Sequence, residues 1–200
     1  MLPIETLHGD SLFPVPAQLQ PAVKFWTDIY STYTSRQVVL HDPVNLQVVY
    51  EVLDFTALYK EESNKAKVRR LVSDDVDARR GEISELLNSL ADRADKGDLN
   101  TEDLSADERR LFEALAALPN DPNTFRSAAE RVRAQTGQAD EFARGVRDIG
   151  PYIGFMERVF AERGLPIQLA RLPFVESMFN LRARSHVGAA GPWQFMPSTG

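Results

Sequence analysis

The chain has 200 residues, 43% apolar and 26% charged, with 23 basic against 29 acidic side chains and a net charge of −6. That is enough apolar material to bury a core in one domain or two small ones, and too much for wholesale disorder. The lack of cysteine excludes a disulfide scaffold, a thiolate zinc site, an iron–sulfur cluster and a cysteine nucleophile within the chain, while the acidic balance argues against a general nucleic-acid or anionic-membrane binder.

Met1 to Gln20 has neither the basic n-region nor the apolar h-region of a signal peptide. No apolar run approaches the roughly 18 residues a membrane span needs. After Pro14, Pro16 and Pro21, the residues Ala22, Trp26, Ile29, Tyr30 and Tyr33 recur at helical spacing and predict a helix from about Pro21 to Tyr33. Phe25, Trp26, Tyr30 and Tyr33 offer rings for a sugar, but that spacing favours core packing. Gln37 to His41 and Leu46 to Phe55, rich in β-branched and aromatic residues, flank Asp42-Pro43-Val44-Asn45 and read as a β-hairpin. His41 reads as a turn or core histidine.

From about Leu58 onward the pattern is helical. Val68, Leu71, Val72 and Val76 form one stripe, and Ile83, Leu86, Leu87, Leu90 and Ala94 a second, ending at Lys96-Gly97-Asp98. Ser105-Ala106-Asp107-Glu108 is a capping box ahead of Leu111, Phe112, Leu115 and Leu118. Pro119 to Pro122 is a turn, and amphipathic helices are expected from about Thr124 to Gln135, Ala139 to Ile149 and Pro151 to Arg163, with Gly137, Gly150 and Gly164 as stops. No fixed-period repeat is present. The expected organisation is a helix plus hairpin over 1–57, a helical region over 58–150 and a distinct segment over 151–200.

Several motifs fail on spacing. Asp95, Asp98, Asn100, Glu102 and Asp103 lack the glycine that a calcium loop needs at its sixth position, and His8, His41 and His186 have no partner at ligand spacing, so no metal site is expected. There is no phosphate-binding glycine loop and no nucleophile elbow. The composition changes after Gly164: Leu165 to Phe179 is almost wholly apolar, and Arg163 to Gly200 holds four arginines and a single acid, Glu176. Glu176 has apolar neighbours on both sides in Leu172-Pro173-Phe174-Val175-Glu176-Ser177-Met178-Phe179. Desolvation of such a carboxyl favours its protonated form, as a general acid near neutral pH requires, whereas a solvent-facing helix end is the plainer alternative. Gly188-Ala189-Ala190-Gly191 then permits close backbone approach, and Trp193-Gln194-Phe195-Met196 supplies an aromatic, an amide and a thioether for a groove that takes a polar sugar.

Glu176-Ser177-x-Phe179-Asn180-x-x-Ala183-x-Ser185, followed by Gly188-Ala189-Ala190-Gly191-Pro192-Trp193-Gln194-Phe195-Met196-Pro197-Ser198-Thr199, resembles the first two motifs of the SLT domain of lytic murein transglycosylases. Leu-Pro-x-x-Glu-Ser and Ala-Ala-Gly-x-Trp-Gln look most like the membrane-bound transglycosylase D branch. The Phe25-Trp26 helix and the Leu40-His41-Asp42 to Tyr50-Glu51-Val52 segment are similar to the region preceding that domain in some relatives. Leu181 stands where the family often has proline, and Pro192 where it usually has an aliphatic residue.

The resemblance implies a mainly α protein in which 151–200 is the N-terminal part of a lysozyme-like SLT domain. The ending Met196-Pro197-Ser198-Thr199-Gly200, suited to begin a further helix, reads as a fragment. It implies cleavage of the bond from N-acetylmuramic acid to N-acetylglucosamine in peptidoglycan, leaving 1,6-anhydromuramyl ends, with Glu176 as both acid and base and no cofactor or metal. Ser177 would bond near the acid or the substrate, Gln194 would line the glycan groove, and Ser185 and Gly188 would shape the loop over the site; Ser177 and Ser185 also suit helix or turn capping. It places the protein in the bacterial envelope, periplasmic or membrane-associated. A non-catalytic cell-wall-binding or helical interaction module and a lysozyme-type hydrolase stay open beside this reading.

Overall fold

The computed structural model describes residues 13–199. His8 and most of the segment read for a leader lie outside the described residues. In chain order the elements are α1 (Gln20–Ser31), β1 (Gln37–His41), β2 (Val49–Asp54), α2 (Thr56–Glu61), α3 (Lys65–Lys96), α4 (Ala106–Ala114), α5 (Pro122–Glu130), β3 (Arg133–Thr136), α6 (Ala139–Glu162) and α7 (Leu172–Ser177), with short 3-10 turns between some of them. The protein is mainly α, as the pattern indicated. It divides into two compact units, one of residues 18–137 and one built on residues 138 onward. No division falls near residue 57, because the hairpin and the helices after it share one core.

In the first unit β1 is the central strand of a sheet ordered β2-β1-β3, with both pairings antiparallel. Its alternation serves two faces. Val38 and Leu40 point into a core with Ile83, Leu87 and Leu90 of α3, Leu111 of α4 and Phe125 of α5, while Val39 packs against Phe25 and Ile29 of α1. Phe25 is therefore core, its ring tilted against that of His41 with the centroids 4.4 Å apart, whereas Trp26 stays 39% exposed and stacks on Tyr30. The hairpin turn is longer than four residues, with β2 starting at Val49, because the Asp42 carboxylate accepts the Val44 and Asn45 N–H groups and the Asp42 N–H reaches the Val48 carbonyl.

The helix predicted to run to Gln135 ends at Glu130, and Arg133–Thr136 pairs with β1 instead. Nothing in Arg133-Ala134-Gln135-Thr136 marks a strand. The open edge of β1 supplies the ladder, so tertiary context overrides local propensity. Gly137 follows, donating its N–H to the Gln37 carbonyl. A Cβ there would overlap the backbone carbonyls of Tyr33 and Thr34. Gly137→Ala is expected to destabilise the unit by about 2 kcal/mol, the cost of forcing backbone apart in a packed site; an unchanged urea midpoint would show that the 33–34 turn yields freely.

The two stripes on α3 belong to one helix of 32 residues. Asn64 caps it by accepting the Ala66 and Lys67 N–H groups, and Gly97, at φ 71°, ends it with the Gly97 and Asp98 N–H groups returning to Ala94 and Arg93. The capping box on α4 is present in both directions, Ser105 Oγ accepting from Glu108 N–H and Glu108 accepting from Ser105 N–H.

In the second unit the stop expected at Gly150-Pro151 is absent: α6 is continuous, with Pro151 inside it. Pro151 removes the donor that would reach the Arg147 carbonyl. The apolar stripe nevertheless keeps helical register across it, through Gly145, Ile149, Ile153, Met156 and Phe160, none of which is fully exposed. Gly164 does end the helix, its N–H returning to Ala161 and that of Leu165 to Phe160. Among the described residues no helix is long and apolar enough to cross a membrane.

Candidate active site

Glu176 lies in the last turn of α7, a six-residue helix opened by Pro173 in its first turn. Its carboxyl is exposed, as are Leu172 and Val175, so the apolar enclosure suggested by the flanking sequence is not formed by the described residues. What is buried is the backing of the helix. Pro173, Ala170 and Phe179 are all enclosed, and Phe179 meets the rings of Phe174 and Tyr152 at 6.3 and 5.8 Å.

Immediately after Ser177 the backbone turns through two non-glycine residues in the left-handed region, Met178 at φ 51° and Phe179 at φ 55°. Each costs on the order of 1 kcal/mol, which the burial of Phe179 offsets. Gly145 of α6 admits this turn, since a Cβ there would sit 2.6 Å from the Met178 carbonyl oxygen. Nothing in the sequence around Gly145 signalled that contact, because it depends on two segments distant along the chain.

Ser177 connects α7 to the glycine-rich loop. Its hydroxyl donates to the Pro192 carbonyl at 2.9 Å and accepts the Asn180 N–H at 3.1 Å. Pro192, with no N–H of its own, thus contributes through its acceptor. Ser177→Ala is expected to cost about 1 kcal/mol of stability, the usual net value of one such bond; a thermal melt identical to that of the parent would show that the loop docks without it.

The loop itself is tightly turned. Ser185 Oγ accepts the Ala189 N–H at 2.9 Å, Gly188 adopts φ 93° and Gly191 φ 71°, and Ala190 bridges to both Arg184 and Phe195. Gln194, at φ 47°, donates its side-chain amide to the Gly191 carbonyl at 2.7 Å. Trp193 lies between Phe160 and Phe195, nearly parallel to both at 5.8 and 6.4 Å, and Phe195 is 58% exposed. Glu176 and Ser177 therefore share α7 with a direct bond to the loop that carries Ser185, Gly188 and Gln194. Of the arginines after Gly164, Arg171 pairs with Glu157, whereas Arg182 and Arg184 have no ion pair among the described residues. No group of three metal-binding side chains gathers among the described residues.

Against known families, the Transglycosylase SLT domain matches residues 161–200. A protein of Alteromonas sp. (strain M-1) named for tributyltin chloride resistance is 44% identical over 48 residues, 24% of this chain and 23% of that protein. Membrane-bound lytic murein transglycosylase D of Escherichia coli (strain K12) is 44% identical over 50 residues, 25% of this chain and 11% of its own length, and its counterpart in Escherichia coli O6:H1 gives the same figures. The chain thus matches well under a third of each of these relatives. No solved structure matches. Residues 161–200 are transglycosylase SLT-domain sequence, similar to that of the membrane-bound lytic murein transglycosylases D.

Proposed function

We propose that this protein is a peptidoglycan lytic transglycosylase in which Glu176 is the general acid and base. The observation that carries the reading is the SLT match over 161–200, which contains Glu176 as its single carboxylate apart from Glu162 near its start. The bond from Ser177 to Pro192, which ties the carboxyl-bearing helix to the loop of the second motif, supports it.

Most glycosidases use two carboxylates. One suffices when the nucleophile belongs to the substrate. The protonated Glu176 gives its proton to the glycosidic oxygen as the bond from that oxygen to C1 of N-acetylmuramic acid breaks. The resulting carboxylate accepts the proton of the muramyl 6-hydroxyl as its oxygen closes on C1, so no water is consumed and the enzyme regains its starting state. Attack within one sugar replaces a bimolecular step and gains from proximity. The exposed face of Phe195, stacked on Trp193, and the amide oxygen of Gln194 provide an apolar surface and an acceptor for the glycan, and Ser185 and Gly188 hold the loop that presents them. Envelope location, periplasmic or membrane-associated, belongs to the same proposal.

The test is digestion of purified peptidoglycan with mass analysis of the fragment ends. Anhydromuramyl ends are expected. Reducing ends would replace the proposal with hydrolysis, and binding to peptidoglycan with no release would leave a cell-wall-binding module.

A further inference from the structure

The first unit carries a cavity that the proposed catalysis does not use. It has a volume of about 410 Å³ and is lined by Arg36, Tyr59, Glu62, Ser63, Lys65, Val68 and Arg69. Val68 is buried and forms an apolar wall, and the Arg36 guanidinium lies 5.9 Å from the Tyr59 ring centroid. Its three cations are set apart by lining one cavity without a carboxylate partner; Lys60, Arg70, Lys96, Arg109 and Arg133 of this unit also have no ion pair among the described residues but lie outside the lining. Arg79, Arg80, Arg93, Arg110, Arg126 and Arg131 are each paired with carboxylates, whereas Arg36, Lys65 and Arg69 have no ion pair among the described residues. The acid in the lining is already satisfied: Glu62 accepts from Lys67 and from the Asn64 N–H. The Ala66 and Lys67 N–H groups are also occupied, by the Asn64 side chain, so the binding capacity rests in side chains rather than in the start of α3.

We propose that this cavity binds the carboxylate of a short acidic peptide, with Arg36, Lys65 and Arg69 supplying donors and Tyr59 and Val68 contacting its apolar part. Acids outnumber bases in residues 18–137 as a whole, which repels a polyanion such as nucleic acid at long range while leaving a short anion to be held locally. Guanidinium forks suit the planar carboxylate. On the function proposed above, which this inference takes as its setting, such peptides are the acidic stems that decorate the glycan.

Calorimetric titration of the full chain with a synthetic stem tetrapeptide bearing free carboxylates tests it, beside the same peptide with its carboxyls amidated and inorganic phosphate. The free peptide is expected to bind one to one, and the amidated form about fivefold or more weaker, the scale of one exposed charge contact. Arg36→Gln and Arg69→Gln should each weaken binding by a similar factor, while Arg70→Gln, on the same helix but outside the lining, leaves it unchanged. Should either variant fail to match the parent's thermal melt, Lys65→Gln replaces it. No binding of the free peptide, equal binding of the amidated one, loss with Arg70→Gln as great as with Arg69→Gln, or phosphate binding as tightly as the peptide would each overturn the assignment. Because a free peptide is titrated and no glycan is cut, failure of this result and failure of the digestion are separate observations.

Discussion

Glu176→Gln is expected to lower the release of glycan fragments by about 10²–10⁴-fold, the usual contribution of a positioned acid or base, while thermal stability stays within about 0.5 kcal/mol of the parent, as for an exposed surface change. The amide keeps the size and polarity of the carboxyl but neither delivers a proton to the glycosidic oxygen nor takes one from the 6-hydroxyl. Both halves of the proposed reaction therefore fail together. Stability is insensitive because Glu176 is exposed and in no ion pair among the described residues; the packing of α7 rests on Pro173 and Phe179. On the proposed function, peptidoglycan is held by the loop and the aromatic stack, so its binding should persist. Retained release in the amide variant would assign the chemistry to another carboxyl, and lost release with an altered melt would be answered by Glu176→Asp, which keeps the acid on a shorter stem and should recover part of the rate.

Local chemistry made much of this protein readable in advance. The limits of α1, the strand pair, the capping box at Ser105 and the stops at Gly97 and Gly164 each depend on residues within a few positions of one another. The failures share the opposite property. Arg133 to Thr136 becomes a strand only because β1 has an open edge, and α6 passes through Pro151 because its apolar stripe stays in register on both sides. At the site, Glu176, Ser177 and the glycine-rich loop stand out as a motif, but Gly145 beneath the Met178 turn and the Pro192 acceptor do not, since they need the fold to bring them together. The exposure of Glu176 also differs from its apolar context: neighbours along a helix point to different sides, so flanking hydrophobicity does not enclose a side chain.

Asp42→Ala is expected to destabilise the first unit by about 3 kcal/mol, the low end for breaking a buried ion pair because Arg131 keeps 29% of its side chain exposed. Asp42 is itself fully buried, 89 residues from Arg131 in sequence, and its carboxylate accepts the Arg131 Nη2 at 2.8 Å as well as the Val44 and Asn45 N–H groups. Burial alone would raise its pKa, but the bonds from Arg131, Asn45 and Val44 outweigh it and hold the group below its ordinary 3.8. The unfolded chain then binds the proton first, so this stabilisation is complete above about pH 4 and fades as pH falls through the lower folded value. His41, beside it, is lowered from 6.5, chiefly by burial. The unfolded state again binds the proton first, and stability starts to fall as pH drops below about 6.5. Asp42→Asn retains His41 but removes the Asp42 charge that partly offsets its lowering, so the variant should weaken somewhat more than the parent between pH 7 and 5. Urea unfolding followed by hydrogen exchange in β1 should show both proteins weakening from pH 7 to 5, and the gap between them closing only below about pH 4. A gap that stays constant from pH 5 down to pH 3 would mean that the pairing with Arg131 contributes nothing to the stability of the folded unit.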